Sequence, residues 1–260
     1  MSTSESRPGV TWAAQAGLAV VRMNGRHANA INPEMVEGLR AAFGEIEADP
    51  SLRGALLASA HRIFSPGLDL KELTRLDRPA MADFLRRFHE CLVALYAFPK
   101  PLLAALSGHT LAGGLVLALT ADWRVLRRGA LVGLNEVRVG VPLPFGVAHI
   151  LRASVQTSRL EEVALLGRNY TDADAVATGL VHELHDADGF EERCLVRLEE
   201  LASKDPAAFA RTKGYLRSAT LERVVAGDPS RADEFLDCWF SATTRARIEG
   251  IVADLKSRSR

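Results

Sequence analysis

Short apolar runs alternate along the chain with longer stretches in which apolar positions recur every three or four residues. Residues 10–24 alternate and then run apolar from Leu18 to Val21, which predicts a strand. Residues 33–48 open on Pro33 and place Met35, Leu39, Ala42, Phe43 and Ile46 at helical spacing. Leu52 to Ser59 reads as a short apolar strand and Phe64 to Leu70 as a Pro/Gly loop. An amphipathic helix is expected over 79–97, and Pro99 prevents its continuation. Leu102 to Leu106 reads as a buried strand, followed by the turn SGHTLAGG and an apolar helix to about Leu119. Further strands are expected at Asp122 to Leu126 and Leu131 to Leu134, then a Gly/Pro-rich loop through Gly146 and a helix to about Ser154. Helices follow at 159–166, 172–178, 189–203, 206–226 and 230–257, with Asp172-Ala173-Asp174 offering an N-cap. Strand–helix alternation argues for an α/β core, and the helical tail reads as a separate layer or an oligomerisation element.

Composition narrows the function classes. The chain has 260 residues and is 48% hydrophobic, enough for one large domain or a domain with an appendage. Lys+Arg and Asp+Glu both total 32, so the basic excess of a nucleic-acid binder is missing. The cluster Arg124, Arg127, Arg128 reads as a solvated turn, with a contact to ligand phosphates as the alternative. Cys91, Cys194 and Cys238 are odd in number and lack ligand spacing, which suits idle thiols in a reducing cytoplasm. The start MSTSESRPGV has no apolar core of a secretory signal. Leu102 to Ala121 is about long enough to span a membrane, but Ser107 to Thr110 and Gly113-Gly114 interrupt it, so no membrane insertion is expected.

Familiar chemical motifs are absent: no dinucleotide fingerprint, Walker lysine, nucleophile elbow or zinc-binding H-E-x-x-H pair occurs. His182 and His185 lack a third ligand and read as a surface loop, so no metal is expected. Ser65 has no evident base and reads as a turn residue. Two glycine turns remain, Phe64-Ser65-Pro66-Gly67-Leu68-Asp69-Leu70 and Gly108-His109-Thr110-Leu111-Ala112-Gly113-Gly114. Glycine lets backbone approach a ligand, and a helix start offers unpaired N–H groups. Facing each other, two such turns could supply two donors to one oxyanion. Taken alone, such turns read first as structural.

These residues carry a resemblance to the crotonase (enoyl-CoA hydratase/isomerase) superfamily. FSPGLDL resembles the signature around the first oxyanion donor, and SGHTLAGGLVLALTADWRV the second. Asn29-Ala30-Ile31 resembles the entry motif on the CoA side. Leu134-Asn135-Glu136 with Val139-Gly140-Val141-Pro142 resembles the catalytic strand and loop. Downstream, Leu166-Gly167-Arg168, Thr171-Asp172-Ala173 and Thr178-Gly179-Leu180-Val181 recur in the family's order, and the likeness covers about residues 15–255. It implies an α/β fold, a spiral of ββα units with a C-terminal helical region. Residues 10–195 would form the core with the CoA and active sites, and 196–260 a helical oligomerisation region that builds homotrimers, often paired as hexamers.

The resemblance also assigns roles. The backbone N–H groups of Leu68 and Gly113 would form the oxyanion hole, and Glu136 would be the catalytic carboxylate. Arg26, Ala28, Ala30, Pro66, Gly67, Leu68, Asp69, Leu70 and Asn135 would bind the CoA thioester, which is substrate and not cofactor; no separate cofactor is implied. Pro66 replaces the family's usual alanine at a position expected to offer its carbonyl to adenine, and turn stiffening explains it equally well. Asn135 lines the pocket or holds its loop. Arg26 and Lys71 could meet the CoA phosphates, or be isolated surface cations. Val116, Leu143 and Phe145 would form an apolar acyl pocket. Asp69 is expected to order its turn and Asp122 to close a helix.

Family hydratases use two glutamates sharing a water, and here one of those positions is Val116. A single base can still move a double bond, so the sequence resembles most the Δ3,Δ2-enoyl-CoA isomerase branch. The other readings are a hydratase, decarboxylase or thioesterase with a surrogate acid such as Asp83 or Glu90, and a non-catalytic acyl-CoA binding protein.

Overall fold

A computed structural model describes residues 5–227 and 231–257. The chain runs β1 (Glu5–Arg7), β2 (Val10–Gln15), β3 (Leu18–Met23), the single turn α1 (Arg26–Asn29), α2 (Pro33–Ala48), β4 (Gly54–Ser59), α3 (Leu70–Leu73), α4 (Arg78–Ala97) and β5 (Leu102–Leu106). Next come β6 (Thr110–Leu111), α5 (Gly113–Leu119), β7 (Trp123–Arg127), β8 (Leu131–Gly133), α6 (Glu136–Val139), α7 (Phe145–Ser154), α8 (Leu160–Leu166), β9 (Tyr170–Thr171), α9 (Asp172–Ala177) and β10 (Glu183–His185). Four helices end the chain: α10 (Phe190–Ala202), α11 (Pro206–Gly227), α12 (Ala232–Phe240) and α13 (Ala242–Ser257).

The main sheet has the order β1-β2-β3-β4-β5-β7-β10. Its β1-β2-β3 edge is antiparallel and the rest is parallel. Strands β3, β4 and β5 are mostly apolar, with Arg22 and Ser59 the exceptions, as suits strands covered on both faces. Leu18, Val20, Leu56, Ala58, Leu103 and Ala105 point to the face closed by Phe190, Cys194 and Leu198 of α10. The alternate residues Ala19, Val21, Ala55, Leu57, Leu102 and Ala104 belong to the larger core with α2, α4 and α5. A second sheet, β6-β8-β9, sits where the two glycine turns meet. The expected division at residue 195 falls inside α10, which packs on β4 and β5.

Several expectations need correction. The strand read over 10–24 is a hairpin, turned by Ala16 (φ 51°) and Gly17 (φ 78°). The helix read over 230–257 breaks at Ser241, whose hydroxyl accepts from the Thr244 N–H at 3.2 Å and caps α13. Arg124 is not in a solvated turn: it is 3% exposed and donates to the carbonyls of Leu180 and Ala121. His182 lies in the bend before β10 but is half-buried and not free on the surface: it stacks on Trp123 at 4.4 Å, and burial pushes its pKa down to about 4. His185 lies on β10, which pairs with β7. Asp172 does not cap α9; it has φ 46°, and its carboxylate accepts from the Gly129 N–H. Asp122 does more than close a helix, since it accepts from the Leu102 N–H and pairs with Lys213 and Arg217 of α11.

The Leu102–Ala121 stretch is a strand, a turn and a seven-residue helix. No helix among the described residues is long and apolar enough to cross a membrane. All three cysteines are free, and burial pushes the thiols of Cys91 and Cys194 up to about 12.

Candidate active site

The two glycine turns lie against each other. Phe64 and Ser65 donate their N–H groups to the His109 carbonyl at 3.0 and 3.3 Å, and Leu111 N–H donates to the Ser65 carbonyl at 3.0 Å. The Ser65 hydroxyl donates to the Asn29 carbonyl at 2.7 Å, and so braces the entry turn. Asn29 is buried and donates to Ser59 Oγ and the Phe64 carbonyl. In this packing Gly67 adopts φ 99°, and a Cβ there would sit 2.9 Å from Ala112 Cβ and 3.2 Å from Gly113 N. Glycine is therefore required by both conformation and contact.

The hydrogen-bond accounting of this seam leaves two donors over. Ile31 N–H donates to the Gly67 carbonyl and Asp69 N–H to the Ile31 carbonyl, both at 2.8 Å. The Leu68 N–H between them has no acceptor among the described residues. Gly113 is the first residue of α5, where helix geometry leaves N–H groups unpaired, and it too has no acceptor there. Ala112 just before it holds φ 45° and ψ −126°, a strained backbone of the kind found at functional turns. Leu68 and Gly113 both line one cavity of about 820 Å³.

Glu136 reaches the same cavity through strand register. Leu111 pairs with Gly133, and Ala112 N–H donates to the Gly133 carbonyl at 2.8 Å. Three residues on, Glu136 opens α6, so it sits on a one-turn helix and not on a strand as the resemblance implied. It is 8% exposed, and its Oε2 is buried without a hydrogen-bond partner among the described residues. Burial pushes its pKa up to about 7, against a smaller opposing effect of a backbone hydrogen bond. Val116 lines the cavity and is 3% exposed. Asn135 does both things expected of it: it lines the cavity and donates to the Gly167 carbonyl and Asn169 Oδ1, each at 2.8 Å.

The other predicted site residues divide. Pro66 and Leu70 line the cavity. Arg26, Ala28, Ala30, Gly67, Asp69 and Lys71 are not among its wall residues. Ala28 belongs to a left-handed run with His27 and Asn29 (φ 57°, 49° and 67°). Asp69 orders its turn as expected, accepting from the Lys71 and Glu72 N–H groups and lying 2.8 Å from His27 Nδ1. Of the residues expected to form the acyl pocket, Val116 lines this cavity and Leu143 and Phe145 are not among its walls; Phe145 meets His149 edge-on and borders a neighbouring hollow. Asp83 and Glu90 are not among the cavity's wall residues and pair with Arg86, Arg87 and Arg40.

Residues unforeseen from sequence complete the walls. Leu85 and Phe88 come from α4, Phe235 and Trp239 from α12, and Arg138, Arg247 and Asp254 stand on its more exposed side. The apolar ones carry helical periodicity, which marks a buried face without saying whether core or cavity lies beside it. Thr244 of α13 donates to the Gly140 carbonyl at 3.0 Å, tying the last helix to the end of α6. Among the described residues no group of three or more His, Cys, Asp or Glu could hold a metal ion.

Comparison with known proteins agrees with this geometry. The model of the enoyl-CoA hydratase/isomerase family matches residues 13–251. The Mycobacterium tuberculosis protein named "Probable enoyl-CoA hydratase EchA17" is 30% identical over 81% of this chain and 82% of its own length. Human mitochondrial enoyl-CoA delta isomerase 1 is 29% identical over 82% of this chain and 71% of its own. In three dimensions, the human mitochondrial delta3-delta2-enoyl-CoA isomerase superposes with a TM-score of 0.90 at 25% identity, covering 100% of this chain and 99% of that one. The enoyl-CoA hydratase EchA3 of Mycobacterium ulcerans gives 0.82 at 28% identity, covering 87% and 99%. The fold is the crotonase-like α/β spiral with a C-terminal helical region, and the chain belongs to the enoyl-CoA hydratase/isomerase family of enzymes.

Proposed function

We propose that the protein is a Δ3,Δ2-enoyl-CoA isomerase that uses Glu136 as its single acid–base group. The observation that carries this reading is a lone buried carboxylate, with one oxygen unpartnered and a pKa near neutrality, in a cavity whose second catalytic position is Val116. The thioester carbonyl of a 3-enoyl-CoA accepts hydrogen bonds from the Leu68 and Gly113 N–H groups. Glu136 removes a proton from C2, and the negative charge of the resulting dienolate rests on that oxygen. Each donor contributes about 3 kcal/mol in a dry site. Glu136 then returns the proton at C4 and yields the 2-enoyl-CoA. Hydration would need a second group to hold and activate water, and Val116 cannot do so. The chemistry calls for no cofactor beyond the CoA thioester itself.

Relatives carry both hydratase and isomerase names, so the discriminating experiment is a substrate comparison. Pure protein should convert 3-hexenoyl-CoA to the 2-enoyl product and leave crotonyl-CoA unhydrated. Glu136→Gln should abolish the conversion. Full isomerase activity in that variant, or water addition by the native protein, overturns the assignment. Homotrimeric or hexameric assembly belongs to the same proposal. It is supported by exposed apolar side chains on α8 (Leu165, Leu166) and α11 (Tyr215, Leu216), and sedimentation measures it. A reducing cytoplasmic setting fits the free thiols.

A further inference from the structure

The arginine cluster on β7 is only partly used by the fold. Arg124 is buried against carbonyls, and Arg128 pairs with Asp186 at 3.2 Å. Arg127 has no acceptor or ion-pair partner among the described residues, and its Nε is buried. Strand alternation explains where it points. Trp123 and Val125 face the layer formed by α10, and Arg127 follows them on that face. On β5, Leu103 and Ala105 face the same way, and Ser107 follows them just past the end of the strand. The Ser107 hydroxyl is also buried without a partner among the described residues. Helices α4 and α5, which wall the active-site cavity, pack on the opposite face of the sheet.

Arg127 and Ser107 are walls of one hollow of about 570 Å³, which shares no wall residue with the active-site cavity. Arg62 is a further wall, exposed and without a partner among the described residues. The start of α10 closes the hollow. That helix has no side-chain cap, and the N–H groups of Glu191 and Glu192 find no acceptor among the described residues. Two carboxylates accompany these donors. Glu191 is neutralised by Arg22 of β3, whose guanidinium donates to it at 2.5 and 2.6 Å, and Glu192 is exposed. His61 is occupied by the Gly25 carbonyl, 3.0 Å from its Nε2. Buried polar groups in a folded protein need partners, and here two orphans meet in one hollow beside a second free arginine. Guanidinium groups match the oxygens of a phosphate two at a time, and a hydroxyl and free N–H groups add to the same cradle.

We propose that this hollow is a second ligand site, separate from the thioester site, for a small phosphate monoester whose phosphate lies against Arg127 and Ser107. An ester suits the space because inorganic phosphate alone would leave most of the 570 Å³ to water. The site stands whichever reaction Glu136 performs.

Calorimetric titration at fixed ionic strength tests it, with glycerol 3-phosphate and inorganic phosphate as probes and glycerol as the uncharged control. Native protein should bind glycerol 3-phosphate saturably and more tightly than inorganic phosphate. Arg127→Gln should weaken that binding by about tenfold or more, and Ser107→Ala by about threefold. Glu192→Gln removes a like charge from the edge and should tighten it. Saturating CoA should leave it unchanged, since the two sites share no wall. Native circular dichroism separates loss of the site from loss of the fold, and the exposed Glu192→Gln keeps the test open if Arg127→Gln unfolds. Absence of binding to native protein overturns the proposal and leaves the hollow to water. Equal affinity in folded Arg127→Gln, or displacement by CoA, overturns it too, the latter by placing the phosphate in the thioester site.

Discussion

Glu136 shows how one side chain's surroundings set both activity and stability. Its pKa rises from the usual 4.5 to about 7 because burial penalises the charged form. A base must be deprotonated to accept the C2 proton, so kcat/KM for isomerisation should increase with pH through a midpoint near 7 and fall on the acid side. The folded state holds a proton that the unfolded chain releases between pH 4.5 and about 7. Stability is therefore lost across that window as pH rises. Glu136→Gln, which cannot ionise, should be more stable than native protein at pH 8 by on the order of 3 kcal/mol, and equal to it below pH 4. Urea titrations at both pH values measure the difference, and equal stability at pH 8 would place the carboxylate in water. The identities of Glu136 and Val116 were legible from motif order. The burial of Arg124 and the half-burial of His182 were not, because a polar residue's exposure depends on which distant backbone comes to meet it.

At the scale of elements, the site depends on two turns held at contact distance. A Cβ on Gly114 would lie 2.6 Å from the Ser65 carbonyl oxygen and 2.7 Å from Ser65 Cβ, so the turns would have to separate. Gly114→Ala should cost about 1–3 kcal/mol in stability. Because the oxyanion donors sit on these same turns, it should also lower kcat/KM by roughly a hundredfold. Gly44 is the control: it lies in α2, a Cβ there meets nothing within 4 Å, and Gly44→Ala should leave kinetics unchanged while adding up to about 1 kcal/mol. Similar kinetics for the two variants would show that turn contact does not position the donors. The strand-to-helix turn at Gly113 was readable from glycine placement. The hairpin break at Ala16-Gly17 and the α12–α13 break at Ser241 were not, since apolar spacing on both sides continues across them.

For the whole molecule, the helical tail closes the site that the sheet begins. Phe235 and Trp239 of α12 and Arg247 of α13 wall the cavity, while the two glycine turns and α6 bring the donors and Glu136. Asp122 joins these layers. It accepts from Leu102 N–H at the start of β5, from Lys213 Nζ at 2.7 Å, and lies 2.8 Å from Arg217 of α11. Burial pushes the Lys213 pKa down to about 8, with Asp122 opposing that fall. Asp122→Asn removes the only carboxylate of this cluster among the described residues and leaves the buried Lys213 and the half-buried Arg217 without it, so it should destabilise by about 3–5 kcal/mol in urea titration. A loss below about 1 kcal/mol would mean the pair is solvated in practice.

What the sequence determined by itself was local or ordered along the chain: the periodicities of strands and helices, the glycines that only certain turns require, and a succession of motifs that identifies the family. These survive because propensity, turn chemistry and motif order need no knowledge of distant contacts. Tertiary structure alone decided which apolar faces border a cavity, that α6 carries Glu136 into it, that Leu143 and Phe145 are not among its walls, and that the Leu68 and Gly113 N–H groups find no acceptor among the described residues. Each of these depends on surfaces from remote segments meeting, and a hydrophobic position is written the same way whether its neighbour is another side chain or an empty space.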